Sequence, residues 1–219
     1  MFSALAPRYR LFNRWSSLGL DDRWRLRVVS EIGGARKILD LGTGTGDLAR
    51  RIVKDQPQSF VVGIDLSHPM LIHGGFGPTL GSPKGVQGGA DFLPFRGGSF
   101  DSVVSAFVLR NLCVGGVLPA AVRECHRVLA PGGRLVFLDL TRPKNVFVRW
   151  GHGIYGLTLL PAIGKAVFGT KWPGAYLARS IRDLPSPEAL SRTFLNNGFS
   201  SFECRPLWGG IVSLFIGKK

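Results

Sequence analysis

The stretch Ile38-Leu39-Asp40-Leu41-Gly42-Thr43-Gly44-Thr45-Gly46-Asp47 decides the fold. Lys37 to Leu41 has the length and apolar content of a strand; three glycines at alternate positions follow, and a helical stretch runs from Asp47 to about Lys54. Glycines placed this way let the backbone turn sharply and approach a ligand without a Cβ clash. The dinucleotide pattern Gly-x-Gly-x-x-Gly seats a pyrophosphate on the helix N-terminus. Here the third glycine comes one position early, and Asp47 stands where a phosphate would be repelled. A cationic ligand suits this loop better. S-adenosylmethionine carries a sulfonium and an amino group that Asp40 and Asp47 can offset directly or through water, with Gly42 and Gly44 giving it room.

Working outward, Phe60 to Ile64 repeats the strand pattern and ends at Asp65, nineteen residues after Gly46. From that place a carboxylate accepts hydrogen bonds from both hydroxyls of a ribose. Gly89-Ala90-Asp91 falls where an adenine edge would be met, with Asp91 as acceptor for the exocyclic amine or simply as an exposed turn residue. A helix is expected from Leu18 to about Ile32, strands at Ser102–Phe107 and Arg134–Leu140, and a helix at Leu118–Leu129. Strands alternating with helices mean a parallel sheet. Gly74 to Gly89 is glycine-rich without a helical period, so the cover on that side is expected to be short or irregular. Residues 141–183 break the alternation with aromatics, Gly and Pro and read as a cap over the sheet. A helix at Pro187–Asn197 and strands near 200–206 and 211–217 close the chain.

At 219 residues, 45% apolar and 19% charged, the chain can bury a full core and is not a disordered one. Its 28 Lys and Arg against 14 Asp and Glu leave a formal charge of +14, a field that attracts phosphate-rich surfaces. Arg8, Arg10, Arg14, Arg23, Arg25 and Arg27 crowd the N-terminal segment, and Arg142, Lys144 and Arg149 surround Phe147 and Trp150. Nucleic acid and anionic lipid both suit such a mixture, as does a merely solvated basic surface. Cys113, Cys125 and Cys204 are too scattered for a zinc site or a disulfide framework, so no metal is expected and a reducing cytoplasm fits. Pro7-Arg8-Tyr9-Arg10 interrupts any signal-peptide core, and the apolar run Ile154–Phe168 falls short of the roughly 20 residues that span a bilayer.

Pro7-Arg8-Tyr9 with Asn13, Ser17-Leu18-Gly19-Leu20 and Trp24 resembles the opening of the UbiE/COQ5 methyltransferases, which methylate a ring carbon of prenylated quinols. The resemblance continues through Phe100-Asp101, Leu109-Arg110-Asn111-Leu112, Pro131-Gly132-Gly133, Leu160-Pro161, Tyr176-Leu177 with Ser180-Ile181, Pro185 and Gly210-Ile211-Val212, in order over nearly the whole chain. The glycine loop and the Pro-Gly-Gly turn are shared by many class I methyltransferases; Leu-Arg-Asn and Tyr-Leu-x-x-Ser-Ile are particular to this family. Gly89, Ala106, Thr170-Lys171-Trp172 and Arg179 depart from its pattern, the last two within the expected cap.

The resemblance implies an α/β class I S-adenosylmethionine-dependent methyltransferase fold, Rossmann-like, with a mostly parallel seven-stranded sheet and one antiparallel strand near its edge. It implies a single domain over 1–219, cap elements at 1–30 and 141–183, and cofactor contacts at Thr45, Asp65 and Gly89-Ala90. The expected substrate is a prenylated quinol, demethylmenaquinol first and a ubiquinone precursor as alternative. Arg110 and Asn111 are candidates to hold or polarise a quinol oxygen; they read equally as half of a structural ion pair and a helix cap. Tyr155 and Tyr176 occupy family-matched cap positions and are candidates to line the ring pocket or merely to pack; His152 is the nearest base by region, with nothing in its spacing to establish it. A tail that lives in a bilayer gives the basic, aromatic-rich surface a purpose at an anionic membrane. Another small-molecule acceptor and an RNA-binding methyltransferase are the rivals, and the second lacks any appended RNA-binding module.

Overall fold

A computed structural model describes residues 6–77 and 81–219. Residues 1–5 of the expected N-terminal cap element and 78–80 of the glycine-rich stretch lie outside the described residues. Seven strands form one sheet: β1 (Lys37–Leu41), β2 (Phe60–Asp65), β3 (Lys84–Gln87), β4 (Phe100–Ala106), β5 (Leu129–Leu140), β6 (Ser201–Leu207) and β7 (Val212–Lys218). Their order is β3-β2-β1-β4-β5-β7-β6. The first five run parallel, while β7 is antiparallel to both β5 and β6, one position in from the edge as expected.

Alternation along the strands sends side chains into two layers. Ile38 joins Trp24, Val28, Leu48 and Ile52 from α2 (Asp21–Glu31) and α3 (Asp47–Asp55) on one face. Leu39 and Leu41 join Leu109 of α5 (Leu109–Val114), Leu118 and Val122 of α6 (Leu118–Val128) and Leu190 and Phe194 of α10 (Pro187–Asn196) on the other. Burial on both faces is why the central strands read as near-continuous apolar runs.

Several boundaries differ from the pattern-based expectation, the largest at β5, which starts at Leu129 and not Arg134 and takes in Pro131-Gly132-Gly133. The second helix starts at Asp21 and not Leu18, because Leu18 and Gly19 take φ of 53° and 76° and break the chain after α1 (Tyr9–Ser16). β3 lies inside the glycine-rich stretch, where periodicity shows nothing: it has four residues, one of them Gly85, and a strand on one side only. The short α4 (His68–His73) precedes it.

Residues 141–183 form α7 (Val146–Leu157), α8 (Leu159–Phe168) and α9 (Gly174–Arg182). Asn145 caps α7, accepting from the backbone N–H groups of Phe147 and Val148 at 2.9 and 3.2 Å. Trp172 lies so close over Gly164 and Gly174 that a Cβ at either would come within 2.2 and 2.4 Å of the indole, and Phe12 of α1 packs against Phe168 and Trp172 at 5.2 and 5.1 Å. The Trp172 departure thus serves to bind the last turn of α8 to α1 and α9. From β1 the chain moves outward to β2 and β3, then returns to β4 on the other side of β1. That reversal opens a crevice at the carboxyl ends of β1 and β4, where open α/β sheets bind ligands.

Candidate active site

The loop leaving β1 fixes one wall of this crevice. Gly42, Gly44 and Gly46 adopt φ of 62°, 55° and 72°, the left-handed region that a side chain resists. A Cβ on Gly42 would stand 2.5 Å from a Val108 methyl, whereas one on Gly44 would meet nothing within 4 Å. Behind the loop, the Phe76 ring occupies the space that a Cβ on Gly46, Gly63, Gly74 or Gly85 would take, at 2.8, 2.8, 2.3 and 3.0 Å. One aromatic wedged among four glycines therefore holds the loop from its far side.

The cleft in front has a volume of about 660 Å³. Asp40, Gly42, Gly44, Thr45, Asp65, Gly89, Ala90 and Asp91, the eight residues expected to contact a cofactor, all lie along it. Asp40 is 1% exposed; Thr43 donates its hydroxyl hydrogen to Oδ2 at 2.6 Å, and Oδ1 is buried with no hydrogen-bond partner. Burial pushes its pKa up to about 7 against the opposing effect of the Thr43 hydrogen bond. Asp65 takes the Gly44 N–H on Oδ2 and the Ser67 N–H on Oδ1, both at 2.8 Å, and burial likewise raises its pKa. Each oxygen keeps a second lone pair for a ligand hydroxyl. These features fit S-adenosylmethionine: an orphaned buried carboxylate oxygen for a cationic ligand, and open space in front of Gly44 that a Cβ would enter.

Asp47 differs from the expectation. Its carboxylate is held by Arg10 at 3.0 Å and Arg50 at 2.6 Å, with Arg25 at 3.9 Å, so its charge is already balanced within the chain. Asp40, Asp65 and Asp91 line the same cleft.

The opposite wall is polar and comes from elements far apart in sequence. Tyr9 and Asn13, one helical turn apart on α1, line the cleft together with Asn111 of α5 and Tyr176 of α9. Tyr176 donates its phenol hydrogen to Asn111 Oδ1 at 3.0 Å. Burial raises the pKa of both tyrosines, while the positive charge of Arg110 acts in the opposite sense on each. Phe107 forms part of the floor with φ of 67°, strained for a residue bearing a Cβ; its N–H donates to the Leu138 carbonyl at 2.7 Å, and Arg25 sits 5.6 Å over its ring.

Arg110 and Tyr155 do not reach the cleft. Arg110 is 4% exposed: its Nε donates to Asp139 at the end of β5, its backbone N–H to the same carboxylate at 2.9 Å, and its Nη1 to Ser180 Oγ at 2.9 Å. It stands one layer behind the two tyrosines. Tyr155 donates its hydroxyl hydrogen to the Ser16 carbonyl and so ties α7 to the end of α1, while His152 stacks on it, away from the cleft. Tyr9 and Asn13 entered the sequence reading only as part of a family signature; their four-residue spacing was the available signal. Nothing in sequence marks the strained turn at Phe107 or the approach of Arg25 to the cleft.

Comparison with known proteins gives concordant results. The model of the ubiE/COQ5 methyltransferase family matches residues 1–219. The ubiquinone/menaquinone biosynthesis C-methyltransferase UbiE of Syntrophotalea carbinolica is 38% identical, over 99% of this chain and 92% of that protein. The demethylmenaquinone methyltransferase of Thermus thermophilus is 37% identical over the whole of both. Among solved structures, a SAM-dependent methyltransferase from Aquifex aeolicus superposes with a TM-score of 0.61 at 16% identity, covering 89% of this chain and 88% of that one. Human N-acetylserotonin methyltransferase in complex with SAM gives 0.63 at 16% identity, over 97% of this chain and 55% of that one. These structural likenesses establish the class I methyltransferase fold.

Proposed function

The chain belongs to the ubiE/COQ5 methyltransferase family, and on that premise we propose that it methylates a ring carbon of a prenylated quinol, demethylmenaquinol in the first place, with S-adenosylmethionine as methyl donor. The observation that carries this reading is the pairing, across one cleft, of a glycine loop bearing Asp40 and Asp65 with a wall of two phenols and two amides. When bound, S-adenosylmethionine supplies an electrophilic methyl on a sulfonium. Asp65 would receive the ribose hydroxyls, Thr45 and the Gly89-Ala90 backbone would border the nucleoside, Asp91 would accept from the adenine amine, and Asp40 would offset the positive charge.

The quinol must lose a hydroxyl proton to solvent for its ring carbon to become a nucleophile; methyl transfer would release S-adenosylhomocysteine, and that carbon then loses its own hydrogen to solvent as a proton to restore the aromatic ring. Tyr9 and Tyr176, with pKa values above the ordinary phenol range, stay protonated at neutral pH; Tyr9 donates to the quinolate oxygen, Tyr176 orients the Asn111 amide through its one hydrogen, and Asn13 and Asn111 fix the ring's orientation. Arg110 acts as a positioning residue through Ser180 of α9 and through its charge on Tyr9, while on Tyr176 Asp139 opposes that charge. Tyr155 is likewise a positioning residue, through α1. The partner beyond the substrate is an anionic membrane surface and not a nucleic acid, since the prenyl tail resides in a bilayer; the protein works from the aqueous side, and no helix among the described residues is long and apolar enough to cross.

Calorimetric titration of S-adenosylmethionine into the wild type and Asp65→Ala, with mass-spectrometric assay on reduced demethylmenaquinone, tests the reading. Weakened binding in the variant and a wild-type product heavier by one methylene are expected. Absence of cofactor binding would overturn it. A ubiquinone precursor is the second substrate to assay, because several relatives carry both quinones in their names.

A further inference from the structure

α7 is amphipathic in the wrong direction for a helix of a free-standing domain. At 3.6 residues per turn, Val146, Phe147, Trp150, Ile154 and Leu157 fall within about 100° of one another. These five apolar side chains face away from the protein: Phe147 is 85% exposed, Leu157 83% and Trp150 72%. The inward face carries Val148 against Gly209, and Tyr155 bonded to Ser16. An outward stripe of this kind on a folded, capped helix marks an interaction surface.

The charge around it identifies the partner. Between Asp139, which is fully buried, and Asp183 the sequence contains no Asp or Glu, while Arg142, Lys144, Arg149, Lys165, Lys171, Arg179 and Arg182 lie in that interval. Arg142, Lys144 and Arg149, each within four residues of a stripe residue along the chain, are exposed. A second copy docked face to face would bring these cations against their equivalents, so self-association is disfavoured. Exposed Trp and Phe at the level of a ring of Lys and Arg match the interfacial zone of a bilayer with anionic headgroups.

We propose that α7 is the membrane-docking element, lying in the plane of an anionic bilayer with Phe147, Trp150 and Leu157 inserted at the headgroup boundary and Arg142, Lys144 and Arg149 on lipid phosphates. Tyr155, on the opposite face of the same helix, holds the end of α1, whose Tyr9 and Asn13 line the cleft. Docking therefore holds α1, which carries part of the polar wall of the cleft, one helix away from the lipid surface. The docking itself rests on this face alone; its purpose, delivery of a prenylated substrate, rests on the reading above.

The test uses the full chain with phosphatidylcholine vesicles, with and without phosphatidylglycerol, in the absence of any quinol. Flotation should show binding that needs the anionic lipid, falls with added salt, and is weakened about tenfold or more in Phe147→Ser/Trp150→Ser. These side chains are exposed, so the variant should keep the wild-type melting temperature and affinity for S-adenosylmethionine. It should also retain the wild-type rate on a tail-less, water-soluble quinol and lose rate only on a long-chain substrate in vesicles. Wild-type chain that ignores vesicles, a variant that binds them equally well, or a dimer in solution that the variant abolishes would each overturn the docking. Vesicle binding without methylation of either quinol would leave the docking standing and sink the functional reading.

Discussion

Replacing Arg110 by Met should cost about 3 kcal/mol of stability, because its partner is among the most deeply buried carboxylates in the protein. The side chains of Arg110 and Asp139 are 5% and 0% exposed, so water cannot screen the pair. Breaking a buried pair from one side costs about 3–5 kcal/mol, since the remaining charge is left uncompensated. The lower end applies here: Asp139 keeps the backbone N–H of residue 110 at 2.9 Å and that of Leu140 at 2.7 Å whatever the side chain at 110. Against a total of about 5–15 kcal/mol for a typical domain this is a large fraction, readable as a shifted urea midpoint at unchanged slope. The double variant Arg110→Met/Asp139→Asn removes the stranded charge, but its one amide oxygen serves only one of the two N–H groups, which Asp139 takes on different oxygens, so it should recover about 1 kcal/mol of the loss. A loss below about 1 kcal/mol in Arg110→Met, or no recovery in the double variant, would refute the buried-pair reasoning.

Three further outcomes are expected. Asp40 has a folded-state pKa of about 7 against an ordinary 3.8, so the folded chain holds that proton more tightly; the associated stability is full below about pH 3.8 and is lost as the pH rises through about 7. Asp40→Asn should flatten the stability profile across that window. Calorimetry should show wild-type affinity for S-adenosylmethionine rising up to about pH 7 and levelling off, a dependence that the variant lacks. Gly42→Ala places a methyl 2.5 Å from Val108 at a φ of 62° and should cost about 2–4 kcal/mol of stability and at least about tenfold in cofactor affinity; adding Val108→Ala should restore only the steric part. Tyr176→Phe removes a donor that burial keeps protonated and should lower kcat about tenfold or more at unchanged cofactor affinity, with steady-state kinetics and titration as the two readouts.

Part of the site was legible because it is local. From Ile38 to Asp47 the strand, the left-handed glycines and the helix start follow from neighbouring residues, and Asp65 and Gly89-Ala90 sit at fixed places in a repeating strand-helix pattern. The polar wall was harder to see. Tyr9, Asn13, Asn111 and Tyr176 come from α1, α5 and α9, and only the tertiary packing of these helices makes neighbours of them. Charge partners were equally hidden: Asp47 looked available for a cation until Arg10, Arg25 and Arg50 converged on it, and Arg110 looked free to hold a substrate until Asp139 and Ser180 enclosed it.

What the sequence by itself determined is the central strands and the glycine loop after β1, since short apolar runs and the steric freedom of glycine act over a few residues. Tertiary structure alone decided which polar groups face the cleft, which are spent on one another behind it, and that the apolar stripe of α7 points outward. Those outcomes depend on contacts between residues far apart in the chain, and on burial, which sets the strength of every charge it encloses.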